Sequence, residues 1–273
     1  MNFELLKLPA LALHACIQQL EVFEIIDFSL LSKRATRIIQ SINWKEEKII
    51  FHLSFTKDAR ISLKFASFPG YEWFIDFEEE EDTSQEPTIR KIGNKGYPSF
   101  FDSVLEGPQA NMHMVFPCDD AYSNMRVFAE HISEIFRTPV KSVYFKELDD
   151  FIVLQIVEWL SQLEQASIEI VETYCEEASK ETINLIFSKL KVTKALGIGC
   201  KVPKDFAYDV MINDNHKRFG IHLPNVQAYD VTRKDGMVGT FYEWYQRRSN
   251  SPEDSDKFEC HLFGFHVWNR GDL

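Results

Sequence analysis

Apolar positions in the first forty residues follow a helical period. After Pro9, one apolar stripe is formed by Leu11, Leu13, Ile17 and Leu20. Proline suits a helix start, because the N–H that it lacks would have no partner there. A second apolar run covers 23–31, and Ser32 stands where it can cap a third helix that reaches Ile39. Three short helices cannot bury this much apolar surface among themselves, so we expect part of it to face a partner.

From Lys48 the period changes to two. Segments 50–55, 60–65 and 71–77 alternate apolar with polar residues, and residues typical of turns separate them. This pattern predicts an antiparallel meander. Segment 78–118 opens with an acidic run and contains several Gly and Pro residues, which predicts a solvated loop and the least ordered part of the chain.

Beyond Asp119, helices and strands alternate. The predicted strands that begin at Val140, Ala166 and Ala195 are 26 and 29 residues apart, and one helix joins each pair. This spacing is typical of an α/β solenoid, in which each unit buries its face against its neighbours. The end of the chain predicts one more unit, with a strand at 226–231, a helix at 239–247 and a strand at 258–265.

These patterns predict an α+β chain with three regions. Residues 1–44 form a three-helix segment, and residues 45–118 form a strand-rich connecting region with an acidic loop. Residues 119–273 form an α/β repeat array that resembles a leucine-rich-repeat solenoid but lacks its strict consensus.

Charge and composition exclude several classes of function. The net charge of −12 argues against nucleic acid, since phosphate binding needs clustered cations. The two basic clusters, Lys33-Arg34 with Arg37 and Arg247-Arg248, are too small to reverse that balance. No stretch approaches the roughly 20 apolar residues of a membrane span, and Met1–Pro9 does not have the pattern of a signal peptide. The five scattered cysteines indicate reduced thiols, and we expect a cytoplasmic or nuclear protein.

No motif predicts catalysis, a cofactor or a metal. Gly197-Ile198-Gly199 lacks the third glycine and the lysine of a phosphate-binding loop. Cys260-His261 and His266 are the densest Cys/His group, but their strand parities differ and structural zinc sites use close ligand pairs. The acidic pairs at 119–120 and 149–150 precede helices, where capping explains them better than acid–base chemistry.

The N-terminal pattern resembles the F-box. The resemblance is carried by Leu6-Lys7-Leu8-Pro9, Phe23-Glu24-Ile25 and Phe28-Ser29-Leu30-Leu31-Ser32-Lys33-Arg34, in that order. The rest of the chain is similar to the type 2 F-box-associated region of nematode F-box proteins. The matching pieces are Val140 to Phe145, Ile186 to Leu196, and Phe241-Tyr242-Glu243-Trp244.

The resemblance implies a non-catalytic substrate receptor of a Skp-cullin-F-box ubiquitin ligase. The F-box would bind a Skp-type linker, and through it a cullin, while the C-terminal region would bind a target protein that the sequence does not identify. The residues expected to face or support the linker are Leu8, Pro9, Leu11, Ile17, Leu20, Phe28, Leu31 and Ile38.

Three departures keep a second hypothesis open. Glu21-Val22 stands where an acidic-Pro turn is usual, Ala35 stands where an aromatic often follows Ser-Lys-Arg, and the chain between Val231 and Phe241 is short. The alternative is an interaction scaffold that is no longer coupled to a ligase. A third hypothesis, an enzyme that uses Cys260, His261 or His266, ranks far behind.

Overall fold

The computed structural model describes residues 8–78, 86–92, 94–106, 109–163, 168–177, 179–201, 211–213, 226–232, 238–247 and 259–268. The chain divides into two compact units. Unit 1 consists of Met1–Ser54 and Asp58–Val140, and unit 2 consists of Phe55–Lys57 and Lys141–Leu273. The three regions predicted at 1–44, 45–118 and 119–273 are defined by sequence pattern and stay predictions.

Within its described residues, unit 1 contains four α-helices and six strands. The helices are α1 (Ala10–Ile17), α2 (Val22–Leu30), α3 (Lys33–Ser41) and α4 (Ala121–Phe136). The strands are β1 (Ile50–Phe55), β2 (Ala59–Lys64), β3 (Tyr71–Glu78), β4 (Thr88–Ile92), β5 (Lys95–Glu106) and β6 (Gln109–Pro117). A 3-10 turn, Trp44–Glu47, joins α3 to β1. The three helices predicted before Ile42 are therefore present as helices.

The sheet of unit 1 has the order β1-β2-β3-β6-β5-β4. β2 pairs antiparallel with β3, as the meander predicts, but β3 pairs parallel with β6. β5 pairs antiparallel with both β6 and β4. The prediction that 78–118 is the least ordered part of the chain is wrong for 88–117, where three strands lie, and most of the acidic run predicted as a solvated loop, 79–85, lies outside the described residues. Pro98 lies within β5 opposite Ile89 of β4, before the pairing with β6 begins at Phe100.

The core of unit 1 lies between this sheet and α4. Trp73, Ile75 and Phe77 alternate along β3 and are buried, as strand periodicity requires. At the centre, the Phe128 ring of α4 lies 5.4 Å from the ring of Phe77 and 4.4 Å from that of Phe116. α4 thus covers one face of the sheet.

The described part of unit 2 contains two helices and seven strands, and the last residue of β1, Phe55, also belongs to this unit. Its elements are β7 (Ser142–Lys146), α5 (Asp150–Gln162), β8 (Ile168–Glu177), α6 (Lys180–Lys189), β9 (Val192–Lys201), β10 (Met211–Asn213), β11 (Val226–Thr232), β12 (Val238–Arg247) and β13 (Glu259–Trp268). The strand order is β10-β11-β12-β13-β9-β8-β7. Phe55 stacks on Phe145 at 5.5 Å between ring centroids, and Trp159 of α5 meets it edge-on.

The region predicted to form a solenoid instead forms a mixed sheet, in which some neighbouring strands are parallel and others antiparallel. β7, β8 and β9 are parallel and are joined by α5 and α6, which agrees with the alternation in the sequence. β13 then pairs antiparallel with β9, and β12, β11 and β10 continue antiparallel outward. The helix predicted at 239–247 is strand β12, because its Thr and aromatic residues favour an extended chain.

Candidate partner-binding surface

The outer side of α1 is apolar and exposed. The helix contains no Asp, Glu, Lys or Arg, and Pro9 occupies its N-cap position. Leu13 and Ile17, one turn apart, are buried, whereas Leu11 is 85% exposed. The exposed residues also include Ala10, Ala12, Ala15 and Cys16. A helix that is apolar on every side is normally covered by something, so this face is a candidate contact surface.

Helix α2 is mostly a packing element. The Glu24 carboxylate accepts a hydrogen bond of 2.9 Å from the backbone N–H of Glu21, which fixes the helix start. Six of its residues are buried: Val22, Phe23, Ile25, Ile26, Phe28 and Ser29. Leu31, immediately after the helix, is 73% exposed.

Helix α3 presents cations on its outer side. The Ser32 hydroxyl accepts a hydrogen bond of 3.1 Å from the backbone N–H of Ala35, as the sequence predicts for a cap. Ala35 and Ile39 face inward, whereas Lys33, Arg34 and Arg37 are exposed and Ile38 is half-buried.

A side-chain contact places α1 next to α3. His14 Nε2 lies 2.9 Å from Ser41 Oγ, which sets α1 beside the C-terminal end of α3. Leu31 lies just before the N-terminal end of α3. The helical rise over the ten residues from Leu31 to Ser41 is about 15 Å. The name "outer helical surface" is used below for Leu11, Leu31, Lys33, Arg37 and Ile38.

The helices are also fastened to the rest of unit 1. Arg90 of β4 makes two hydrogen bonds to the Asp27 carboxylate, at 2.6 and 2.9 Å. Gln40 Nε2 donates to Glu134 Oε1 of α4 at 2.9 Å. The Trp44 ring meets the Phe136 ring edge-on at 5.2 Å. These contacts join α2 to β4 and α3 to α4.

A polar contact joins α2 to α4 in the interior. Ser29 is buried, and its hydroxyl donates to the carbonyl of Ile26 while lying 2.7 Å from His131 Nε2. Because a hydroxyl has one hydrogen, the imidazole must donate, which assigns the proton to Nε2. Burial lowers the pKa of His131, and the nearby Glu134 carboxylate partly opposes that shift.

The eight residues predicted to face or support the linker differ in how exposed they are. Leu11, Leu31 and Pro9 are exposed, and Leu8, Leu20 and Ile38 are half-buried. Ile17 and Phe28 are buried and can act only by supporting the helices. Sequence reasoning did not single out Ala12, Ala15 or Cys16, although the absence of charge in α1 was a usable signal.

The two N-terminal departures from the F-box pattern lie inside. Val22 and Ala35 are both fully buried. Neither residue contributes side-chain area to the outer helical surface.

The residues considered for chemistry form no site in the described part of the chain. Cys260, His261 and His266 lie on β13, but their side chains lie outside the described residues. Among the described residues, no group of three or more His, Cys, Asp or Glu could hold a metal. Gly197 and Gly199 lie within β9, as expected from the sequence. Asp120 and Asp149 accept hydrogen bonds from Ser123 and Ile152 N–H groups at their helix starts, which confirms their capping role.

The most concentrated group of titratable side chains is on β2, β3 and β6. The buried Asp76 carboxylate binds Arg60, and its other oxygen lies 2.8 Å from His113 Nδ1. The rings of Phe74 and His113 are stacked, with 4.9 Å between their centroids. The Arg60 guanidinium carbon lies over the Phe74 ring, 4.9 Å from its centroid. These contacts join three neighbouring strands and account for each polar group without a substrate.

Cys118 is a free, half-buried cysteine. Burial is the main cause that raises the pKa of the Cys118 thiol, which disfavours a reactive thiolate. No helix in the described ranges combines the length and apolarity that crossing a bilayer requires.

Comparisons with known proteins returned no match among family models, curated proteins or solved structures.

Proposed function

We propose that this chain is the substrate-recognition subunit of a Skp-cullin-F-box ubiquitin ligase. It binds a Skp-type linker through α1–α3 and a target protein through its C-terminal region. The ligase partners supply the chemistry, and this chain supplies proximity between the target and the transfer machinery.

One observation carries the proposal: two leucines are strongly exposed where the sequence resembles an F-box. Leu11 lies on a helix without charged side chains, and Leu31 follows the buried helix α2. Each exposes apolar area whose burial in a partner is favourable by about 25 cal/mol per Å². Apolar anchors of this kind supply most of the affinity in protein interfaces.

The positions of the departures favour this proposal over the uncoupled scaffold. Replacement of a usual Pro by the buried Val22, or of a usual aromatic by the buried Ala35, removes no exposed anchor. The capping contact of Glu21 with Glu24 also gives α2 a defined start without proline. Neither departure therefore removes the exposed leucines on which the proposal rests.

A pull-down with purified Skp-type linker tests the proposal. The wild-type chain is compared with the double variant Leu11→Asp/Leu31→Asp, which places two charges on the outer helical surface. We expect the variant to lose at least about 2 kcal/mol of binding free energy, roughly 30-fold in Kd, because a buried unpaired carboxylate replaces an apolar anchor.

Two other exposed apolar residues provide the matched control. Ile89 of β4 and Phe151 of α5 are also large and exposed, and Ile89→Asp/Phe151→Asp makes the same change in charge elsewhere. The control should bind the linker as the wild type does. The proposal fails if the wild type recovers no linker, or if both double variants bind it equally well.

A further inference from the structure

Helix α3 contains a basic cluster, Lys33, Arg34 and Arg37. Docking through the two exposed leucines gives these charges no role. Lys33 and Arg37 are four residues apart, which places them on the same side of the helix, and both are exposed. Arg34 is exposed beside them, and the half-buried Ile38 borders the same side. Leu31 precedes Lys33 by two residues, so the basic cluster begins beside one of the two apolar anchors.

Two of these cations, Lys33 and Arg34, lie in the first turn of α3, where a helix tolerates cations poorly. The N-terminal turn of a helix carries partial positive charge, so acidic residues are favoured there and basic residues are not. Among the described α-helices, α3 alone opens with two cations, and its first turn has no acidic residue. By contrast, α2, α5 and α6 each have an acidic residue in the first turn.

The charge of the whole chain makes the cluster more distinctive. Asp and Glu outnumber Lys and Arg by 42 to 30, so a group of three cations within five residues runs against the composition. A local positive field on an acidic chain attracts a negative surface and repels other copies of the same basic surface. Such a field acts mainly on the rate of encounter and on the choice of partner.

We infer that α3 receives an acidic rim of its partner: the linker surface that takes up Leu11 and Leu31 carries carboxylates opposite Lys33 and Arg37. This inference rests on the proposed function and adds the chemistry of the partner to it. The leucines provide the buried contact, and the cations provide fast and selective association.

Association kinetics test this arrangement. The association rate constant of the full chain with purified Skp-type linker is measured at low and high NaCl concentration. We expect it to fall about tenfold between about 20 mM and about 300 mM NaCl, because salt screens exposed charges. The variant Lys33→Glu/Arg37→Glu should associate about tenfold more slowly than the wild type at low salt.

The control carries the same change in charge elsewhere. Lys57 and Lys91 are exposed and lie outside α1–α3, so Lys57→Glu/Lys91→Glu should associate nearly as fast as the wild type. Circular dichroism checks that each variant is folded.

Two results would overturn the inference, and they are distinguishable. Association that is fast, insensitive to salt and unchanged by Lys33→Glu/Arg37→Glu would refute the acidic rim and leave the proposed function standing. An absence of linker binding by the wild type at low salt would refute both.

Discussion

At the residue scale, side chains of the same type in the same helix differ in their exposure to solvent. Leu11 and Leu13 have the same side chain and lie two positions apart, yet Leu13 is buried and Leu11 is exposed. In a short helix composed of Ala, Leu, Cys, His and Ile, both sides are apolar, so the pattern does not say which side faces the core. The packing of α1 against α3 decides it. The sequence could therefore predict an apolar surplus but could not assign it to particular residues.

A second residue, His131, predicts a dependence of stability on pH. Burial lowers the pKa of its imidazole in the folded chain, so the unfolded chain binds a proton at higher pH. The stabilisation is therefore complete above the unfolded pKa of about 6.5 and is lost as the pH falls through the folded value. The variant His131→Gln keeps a donor for Ser29 and cannot titrate.

Urea unfolding at several pH values checks this prediction. The free energy of unfolding of the wild type should fall relative to His131→Gln as the pH falls from about 7.5 to about 5. The nearby Glu134 is unchanged in the variant, so its titration largely cancels in the difference. A difference that is constant over this range would contradict the burial argument.

At the scale of elements, the helix caps were predictable from local chemistry, and several strands were not. The caps Ser32, Asp120, Asp149 and Ser179 all open helices, because the side chain that caps and the N–H that it binds lie three residues apart. The pattern does not predict strands β4–β6, although β4–β5 and β5–β6 are local pairs whose registers close at Ile92–Lys95 and Glu106–Gln109, because the acidic run and the Gly and Pro residues of this segment are typical of loops. β12 was assigned the wrong type, because aromatic residues occur in both buried helices and strands.

The cap of α3 gives a prediction at this scale. Ser32→Ala removes the acceptor for the Ala35 N–H, and helix caps contribute about 1 kcal/mol to stability. Lys33 and Arg34 in the first turn give no acidic compensation. We expect the free energy of unfolding, measured in urea, to fall by about that amount.

Ser188→Ala serves as its control. The Ser188 hydroxyl is exposed and donates to the carbonyl of Leu185 within α6, so its loss leaves no N–H unpaired. Equal unfolding free energies for the two variants would show that Ser32 is not a significant cap.

At the scale of the whole molecule, the helical segment is part of a larger packed unit. Ile17, Val22, Ile26 and Ile39 are fully buried, and Asp27, Ser29 and Gln40 contact β4 and α4. The change of period near Lys48 defines residues 1–44 as a region of the sequence, and that boundary stays a prediction. The long-range contacts that join the segment to α4 leave no mark in a local pattern. Deletion of 1–42 would therefore remove core residues together with the outer helical surface, and lost binding would not identify that surface.

The central claim, that α1–α3 bind a Skp-type linker, is tested most directly by amide hydrogen exchange of the intact chain with and without the purified linker. Binding slows exchange where local opening is suppressed. We predict slower exchange in peptides that cover 10–41, with peptides from β8 and β9 unchanged. Formation of the complex with unchanged exchange across 10–41, or no complex at all, would contradict the claim.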